Sequence, residues 1–228
     1  MGTKERYEHV RGELDEVCRT CGREPGEVTL VAVSKTVGPE EVACAIEGGA
    51  CDFGENRPDQ LMLKADRYPS STWHFIGNIQ SRRIRDIVGR ASLIHSLFEE
   101  SHARKIDEVA RAHGIVQDVL IEVNISGEES KSGMQPESVQ SMIATCRELS
   151  NVRVRGLMTM APQGDPAIAR KTFAGLARLR DELRDEMPAE EAEAFTELSM
   201  GMSEDWREAI AEGATIVRIG RAIFSEAF

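Results

Sequence analysis

Eight times along the chain, a short apolar run gives way to a stretch with helical spacing. The runs are Leu30-Val31-Ala32-Val33-Ser34-Lys35-Thr36, Cys51-Asp52-Phe53, Thr72 to Ile76, Ser92 to Ser96, Asp118 to Asn124, Val152 to Met160, Glu197 to Met200 and Thr215 to Ile219. They are too short for helices, and the first is rich in β-branched residues and apolar on both phases, as a strand covered on both faces must be. Helical stripes follow, such as Leu61 and Leu63, or Phe173, Leu176, Leu179 and Leu183, and Ser203 reads as the N-cap of the helix holding Trp206, Ala209 and Ile210. No linker, repeat or low-complexity segment interrupts the series. Strict alternation of this kind predicts a closed (β/α)8 TIM barrel, with an open doubly wound sheet as the alternative. An extra N-terminal helix precedes the first strand, with Tyr7, Val10, Leu14, Val17 and Cys21 on one face and Gly22 as its stop. A chain of 228 residues is accounted for by one such domain, residues 1–228.

Charge and cysteine usage narrow the function classes. A formal net charge of -11 argues against nucleic acid or an anionic membrane as partner, since either requires a basic face. The basic run Ser81-Arg82-Arg83-Ile84-Arg85 reads as a solvated helix face. No apolar stretch reaches the length of a membrane span, and Met1 to Arg6 leads into no signal-type apolar core, so a cytoplasmic location is expected. The five scattered cysteines form no disulfide framework, and Cys18-Arg19-Thr20-Cys21 has no second pair, so no metal site is expected.

The unusual residues fall just after the strands. Lys35, Asn56, Gly77, Asn124, Met160, Ser199 to Gly201 and Gly220 occupy what would be the carboxyl rim, where a barrel keeps its site. Alternation places Lys35 on the side of Val31 and Val33, at the mouth of an apolar interior. An amine there loses solvation of its charged form and becomes a nucleophile suited to Schiff-base chemistry; the alternative is a lysine that snorkels into water. Ser199-Met200-Gly201-Met202-Ser203 and Gly220-Arg221-Ala222 are glycine-containing turns that enter helix starts, the kind of place where backbone N–H groups converge on an anion. Together these features suggest an aldehyde that also carries a phosphate. Arg218, inside an apolar strand, needs a partner: either a salt bridge to a carboxylate such as Glu122, or a ring nitrogen to which it donates.

The segments Val31-Ala32-Val33-Ser34-Lys35-Thr36, Phe53-Gly54-Glu55-Asn56, Trp73-His74-Phe75-Ile76-Gly77-Asn78-Ile79-Gln80, Asn124-Ile125-Ser126 with Ser130-Lys131-Ser132-Gly133, Arg155-Gly156-Leu157-Met158-Thr159-Met160, Leu198-Ser199-Met200-Gly201-Met202-Ser203 and Val217-Arg218-Ile219-Gly220 resemble, in order, the pyridoxal phosphate homeostasis protein family. The resemblance implies a single barrel of the alanine racemase N-terminal type (fold type III) that holds pyridoxal 5'-phosphate (PLP) as a Schiff base on Lys35. It also implies that Arg218 faces the pyridine nitrogen, that Ser199, Gly201, Gly220 and Arg221 hold the phosphate, and that Asn56 and Met160 line the pocket. The family is regarded as a carrier of PLP and a regulator of vitamin B6 and amino-acid balance, without an established catalytic activity, and the chain is expected to act as a monomer on apo PLP-dependent enzymes.

A PLP-dependent amino-acid racemase is the alternative. Such enzymes bring a catalytic tyrosine from a second β-domain, which is not expected after Phe228, while Tyr7 and Tyr68 fall in predicted helical regions and His74 and His95 read as core histidines. A lysine aldolase shares Lys35 but needs the paired glycine turns only for a sugar phosphate. The polar loop from Gly127 to Gly133 reads as a solvated loop or as a lid with Lys131 as a second aldehyde or phosphate contact.

Overall fold

A computed structural model of the protein describes residues 1–128 and 131–227, and its eight strands are all parallel and hydrogen-bonded in sequence order until the last meets the first. They are β1 (Thr29–Val33), β2 (Asp52–Glu55), β3 (Thr72–Phe75), β4 (Leu93–Leu97), β5 (Gln117–Glu122), β6 (Val152–Met158), β7 (Glu197–Ser199) and β8 (Ile216–Ile219). Closure sets Leu30 opposite Val217 and Val31 opposite Arg218, so the chain is a closed barrel rather than an open sheet. The helices are α1 (Thr3–Thr20), α2 (Pro39–Glu47), α3 (Pro58–Arg67), α4 (Ile84–Ile87), α5 (Glu100–His113), α6 (Val139–Arg147), α7 (Pro166–Asp185), α8 (Ala189–Ala194), α9 (Trp206–Ala211) and α10 (Arg221–Phe224).

Period-two alternation sorts each strand between two cores. Val31, Val33, Leu93, Leu120, Met158 and Ile216 fill the barrel, with Ile76 and Met160 packed against them. Ala32, Phe53, Phe75, Ile121, Leu157 and Val217 point outward into a larger layer shared with the helices. There Phe53 stacks on Trp73 with ring centroids 5.2 Å apart. Because α10 is a single turn, α1 lies across α10, α2 and α9 and buries Tyr7, Val10, Leu14 and Cys18.

Three expectations about the helices are corrected. Cys21 lies beyond α1 and is exposed, since the residue one turn after Leu14 is Cys18. Leu63 is 51% exposed, while Lys64, which shares the face of Leu61, is fully buried. Ser203 is not the cap of α9: Asp205 occupies that place and accepts a hydrogen bond from Met202 N at 2.6 Å. The short helix α8 interrupts the path from α7 to β7, where no helix was expected.

Candidate functional site

At the carboxyl ends of the strands lies a cavity of about 640 Å³ whose wall includes Lys35, Asn56, Met160, Arg218, Gly220 and Arg221. Six of the eight residues predicted for the site therefore meet there. Ser199 and Gly201 stand below and behind this wall, with Ser199 fully buried.

Lys35 follows β1 in a tight turn closed by Val37 N donating to Ser34 O at 3.1 Å. The strand ends at Val33, three residues before the run closes at Thr36, and Lys35 is exposed, which fits the second of the two readings, a lysine that reaches out toward water. What holds the turn is behind it. Ser34 O accepts from Lys64 Nζ at 2.8 Å, and Ser34 Oγ donates to Glu55 Oε1 at 2.8 Å.

The rim of β2 and β3 closes by contact. Ile76 N donates to Glu55 O at 2.9 Å, and a Cβ on Gly77 would stand only 2.0 Å from Asn56 O. Only glycine lets these strand ends approach so closely.

Arg218 is 5% exposed and enters the barrel from β8. Its Nη1 donates to Ser199 Oγ at 2.6 Å and its Nη2 to Thr159 O at 3.1 Å. The alternative of a direct salt bridge to Glu122 is not formed, and Glu122 Oε1 has no hydrogen-bond partner among the described residues. Burial lowers the Arg218 guanidinium to about 10, against the favourable charges of Glu122 and Asp205, so it remains cationic at neutral pH. Burial likewise raises the carboxyls of Glu122 and Asp205, the first opposed by a Ser132 hydrogen bond, the second by the Met202 amide. Two of the five guanidinium N–H donors are engaged below, and the group still lines the cavity above.

The turns after β7 and β8 touch. Ala222 N donates to Ser203 Oγ at 3.5 Å, and Gly201 adopts φ +91 with its carbonyl accepting from Arg218 N at 2.9 Å. Arg221 Nη2 donates to Glu204 Oε1 at 2.7 Å across the mouth. Lys131 Nζ donates to Ala161 O at 3.0 Å, next to Met160; the predicted lid includes Glu129 and Ser130, which lie outside the described residues, as does Phe228.

Sequence reasoning passed over Asn78, Gln80, Gln163 and Asp205, which also line the cavity, and the buried Lys64–Glu55 pair. A signal existed for Asn78 and Gln80, which follow Gly77 directly at the end of β3. None of His74, His95, Tyr7 and Tyr68 is on the wall.

The alanine racemase N-terminal domain family matches residues 8–227. The pyridoxal phosphate homeostasis protein of Aquifex aeolicus is 41% identical over 229 residues, spanning 99% of each chain. A structure of an unknown protein from Bifidobacterium adolescentis superposes with TM-score 0.90 at 34% identity, covering 97% of this chain and 94% of that one. PipY of Synechococcus elongatus, solved with PLP bound, superposes with TM-score 0.82 at 32% identity, covering 93% of this chain and 100% of that one. A closed parallel barrel with these rim residues, matched along almost its whole length, makes this chain a member of the pyridoxal phosphate homeostasis protein family, built on the alanine racemase N-terminal barrel.

Proposed function

We propose that the chain binds PLP in the rim cavity, with Lys35 as covalent anchor, and serves to hold the cofactor and hand it to apo PLP-dependent enzymes, thereby supporting vitamin B6 and amino-acid balance. The observation that carries this reading is that an exposed lysine, a buried cationic guanidinium and two touching glycine turns line one cavity of about 640 Å³. When bound, PLP supplies an electrophilic aldehyde and a pyridine ring that withdraws electrons. The residues fit its parts. Arg218 can only donate, so it suits an unprotonated ring nitrogen. The turns Met202-Ser203 and Gly220-Arg221 suit the phosphate, and Asn56 and Met160, on the same wall, would line the space left for the ring. A Cβ on Gly220 would lie 3.2 Å from Val33 O, so this turn sits against the strand that leads to Lys35. Ser199 and Gly201 support the same site from below, through the Arg218 side chain and backbone.

Holding is favoured over racemisation because, among the described residues, no tyrosine or histidine lines the cavity to act as a second base. A monomer working in the cytoplasm completes the reading; the five cysteines are free. Borohydride reduction of the PLP-treated protein followed by peptide mapping tests it. The cofactor mass is expected on the peptide containing Lys35 and lost in Lys35→Ala. Irreversible labelling that persists in that variant overturns the assignment. Restoration of an apo PLP-dependent enzyme by the loaded protein tests transfer.

A further inference from the structure

Below the cavity floor a line of polar side chains crosses the barrel from β2 to β8. His74 Nε2 lies 3.2 Å from Asp52 Oδ1, His74 Nδ1 lies 2.9 Å from His95 Nε2, and His95 Nδ1 lies 2.8 Å from Ser199 Oγ, which accepts from Arg218 Nη1 at 2.6 Å. His74, His95, Ser199 and Arg218 are at most 5% exposed, and only the Asp52 side chain, at 29%, reaches solvent at the amino-terminal end of the barrel.

The two ends determine every proton between them. A carboxylate only accepts, so His74 Nε2–H donates to Asp52. A neutral imidazole has one donor and one acceptor, so His74 Nδ1 accepts from His95 Nε2–H, and His95 Nδ1 then accepts the Ser199 hydroxyl proton. The Ser199 oxygen accepts from Arg218, which can only donate. All four bonds run the same way, from guanidinium to carboxylate. Were His74 to take a second proton, His95 would have to turn its Nδ1–H toward Ser199, and the Ser199 hydroxyl would lose its acceptor in a site with no water-facing side.

We infer that Asp52, His74, His95 and Ser199 are positioning residues that hold Arg218 as a donor toward the cavity through a one-way hydrogen-bond relay. Burial holds the His95 imidazole well below its ordinary range, in keeping with its neutral place in the line. The relay stands on the side-chain geometry; its consequence for a ligand rests on the reading of the cavity as a PLP site.

The test uses the full chain in two arms. In the PLP-free protein, 15N NMR of labelled histidine is expected to show both His74 and His95 as the Nε2–H tautomer, and an Nδ1–H tautomer at either overturns the relay. His95→Leu is expected to collapse the resolved guanidinium N–H signals of Arg218, which is linked to His95 through the Ser199 hydroxyl, and His95→Gln, whose amide can accept from Ser199 and donate to His74, to restore them. Unchanged Arg218 signals in His95→Leu overturn the inference; if that variant does not fold, the wild-type tautomers and His95→Gln still decide it. In the second arm the Kd for PLP is expected to rise about tenfold in His95→Leu, the size typical of lost outer hydrogen-bond partners of a bound group, and to stay near wild type in His95→Gln. Equal Kd values in wild type and His95→Leu overturn the positioning role, whereas a wild type that binds no PLP refutes the cofactor reading and leaves the NMR arm to judge the relay.

Discussion

Lys64 of α3 and Glu55 of β2 form a salt bridge in which both side chains are 0% exposed, directly behind the turn that presents Lys35. Ser34, the residue before Lys35, is bonded to both of them. The pair therefore ties the end of β1 to the end of β2 and to a helix.

Breaking one partner leaves the other charge buried, and Glu55 Oε2 already has no hydrogen-bond partner among the described residues. Lys64→Met is expected to destabilise the fold by about 3–5 kcal/mol, while Lys64→Met combined with Glu55→Leu recovers most of the loss, because a well-packed apolar pair avoids desolvating two ions. Urea denaturation of the three proteins measures this. A single variant as stable as wild type would show that the charge pair does not hold the Lys35 turn.

Gly77→Ala tests the close approach of the β2 and β3 rims. The added methyl would meet backbone at 2.0 Å, so one strand end must move. A loss of about 1–3 kcal/mol in stability is expected, of the size found for overpacking, together with weaker PLP uptake because Asn56 is displaced from the wall. Denaturation and absorbance titration with PLP give the two numbers; a variant indistinguishable from wild type in both would mean the rim yields without cost.

The barrel was legible because strands covered on both faces carry nearly continuous apolar runs, as β1 and the centre of β5 do, and because each run gives way to helical spacing. The site was legible in its rim residues, since glycine and asparagine after a strand interrupt the pattern. Burial of Lys64 was not: a periodicity that weighs hydrophobicity prefers Leu63, and the partner that makes a buried lysine tolerable sits on another element. Whether Lys35 faces the interior or water was left open by the sequence because its run outlasts the strand by the three residues Ser34 to Thr36. The relay escaped for a related reason. Alternation places His74 and His95 inside, but their meeting depends on the stagger that sets His74 opposite Leu93.

Thiol reactivity separates the cysteines. Cys21, Cys44 and Cys51 are exposed, while Cys146 is buried with its thiol pushed up to about 12 by desolvation, and Cys18 is raised for the same reason. Iodoacetamide near pH 8 reacts with the thiolate, so mass spectrometry is expected to find the first three alkylated and the last two intact until the fold is opened. Rapid labelling of Cys146 in the native protein would contradict the packing of α6 against the barrel.

Glu122 yields the pH dependence. Burial raises its carboxyl above the unfolded value, so its proton is held more tightly in the folded state. The sign follows from linkage: the group stabilises the fold in the acid range, where it is protonated, and that contribution is lost as pH rises through its folded value. Near neutral pH the unfolded chain ionises this carboxyl freely, whereas in the folded protein it is desolvated and its Oε1 has no hydrogen-bond partner among the described residues. Glu122→Gln, which keeps the shape of the protonated form, is therefore expected to be more stable than wild type near pH 7. The gain should shrink as pH falls below the usual carboxylate range, where both proteins carry a neutral side chain. Thermal denaturation of both PLP-free proteins across this range measures it. If the gain instead grows in acid, the attraction of Glu122 for the Arg218 guanidinium outweighs its desolvation, and the carboxylate is the counterion of the site.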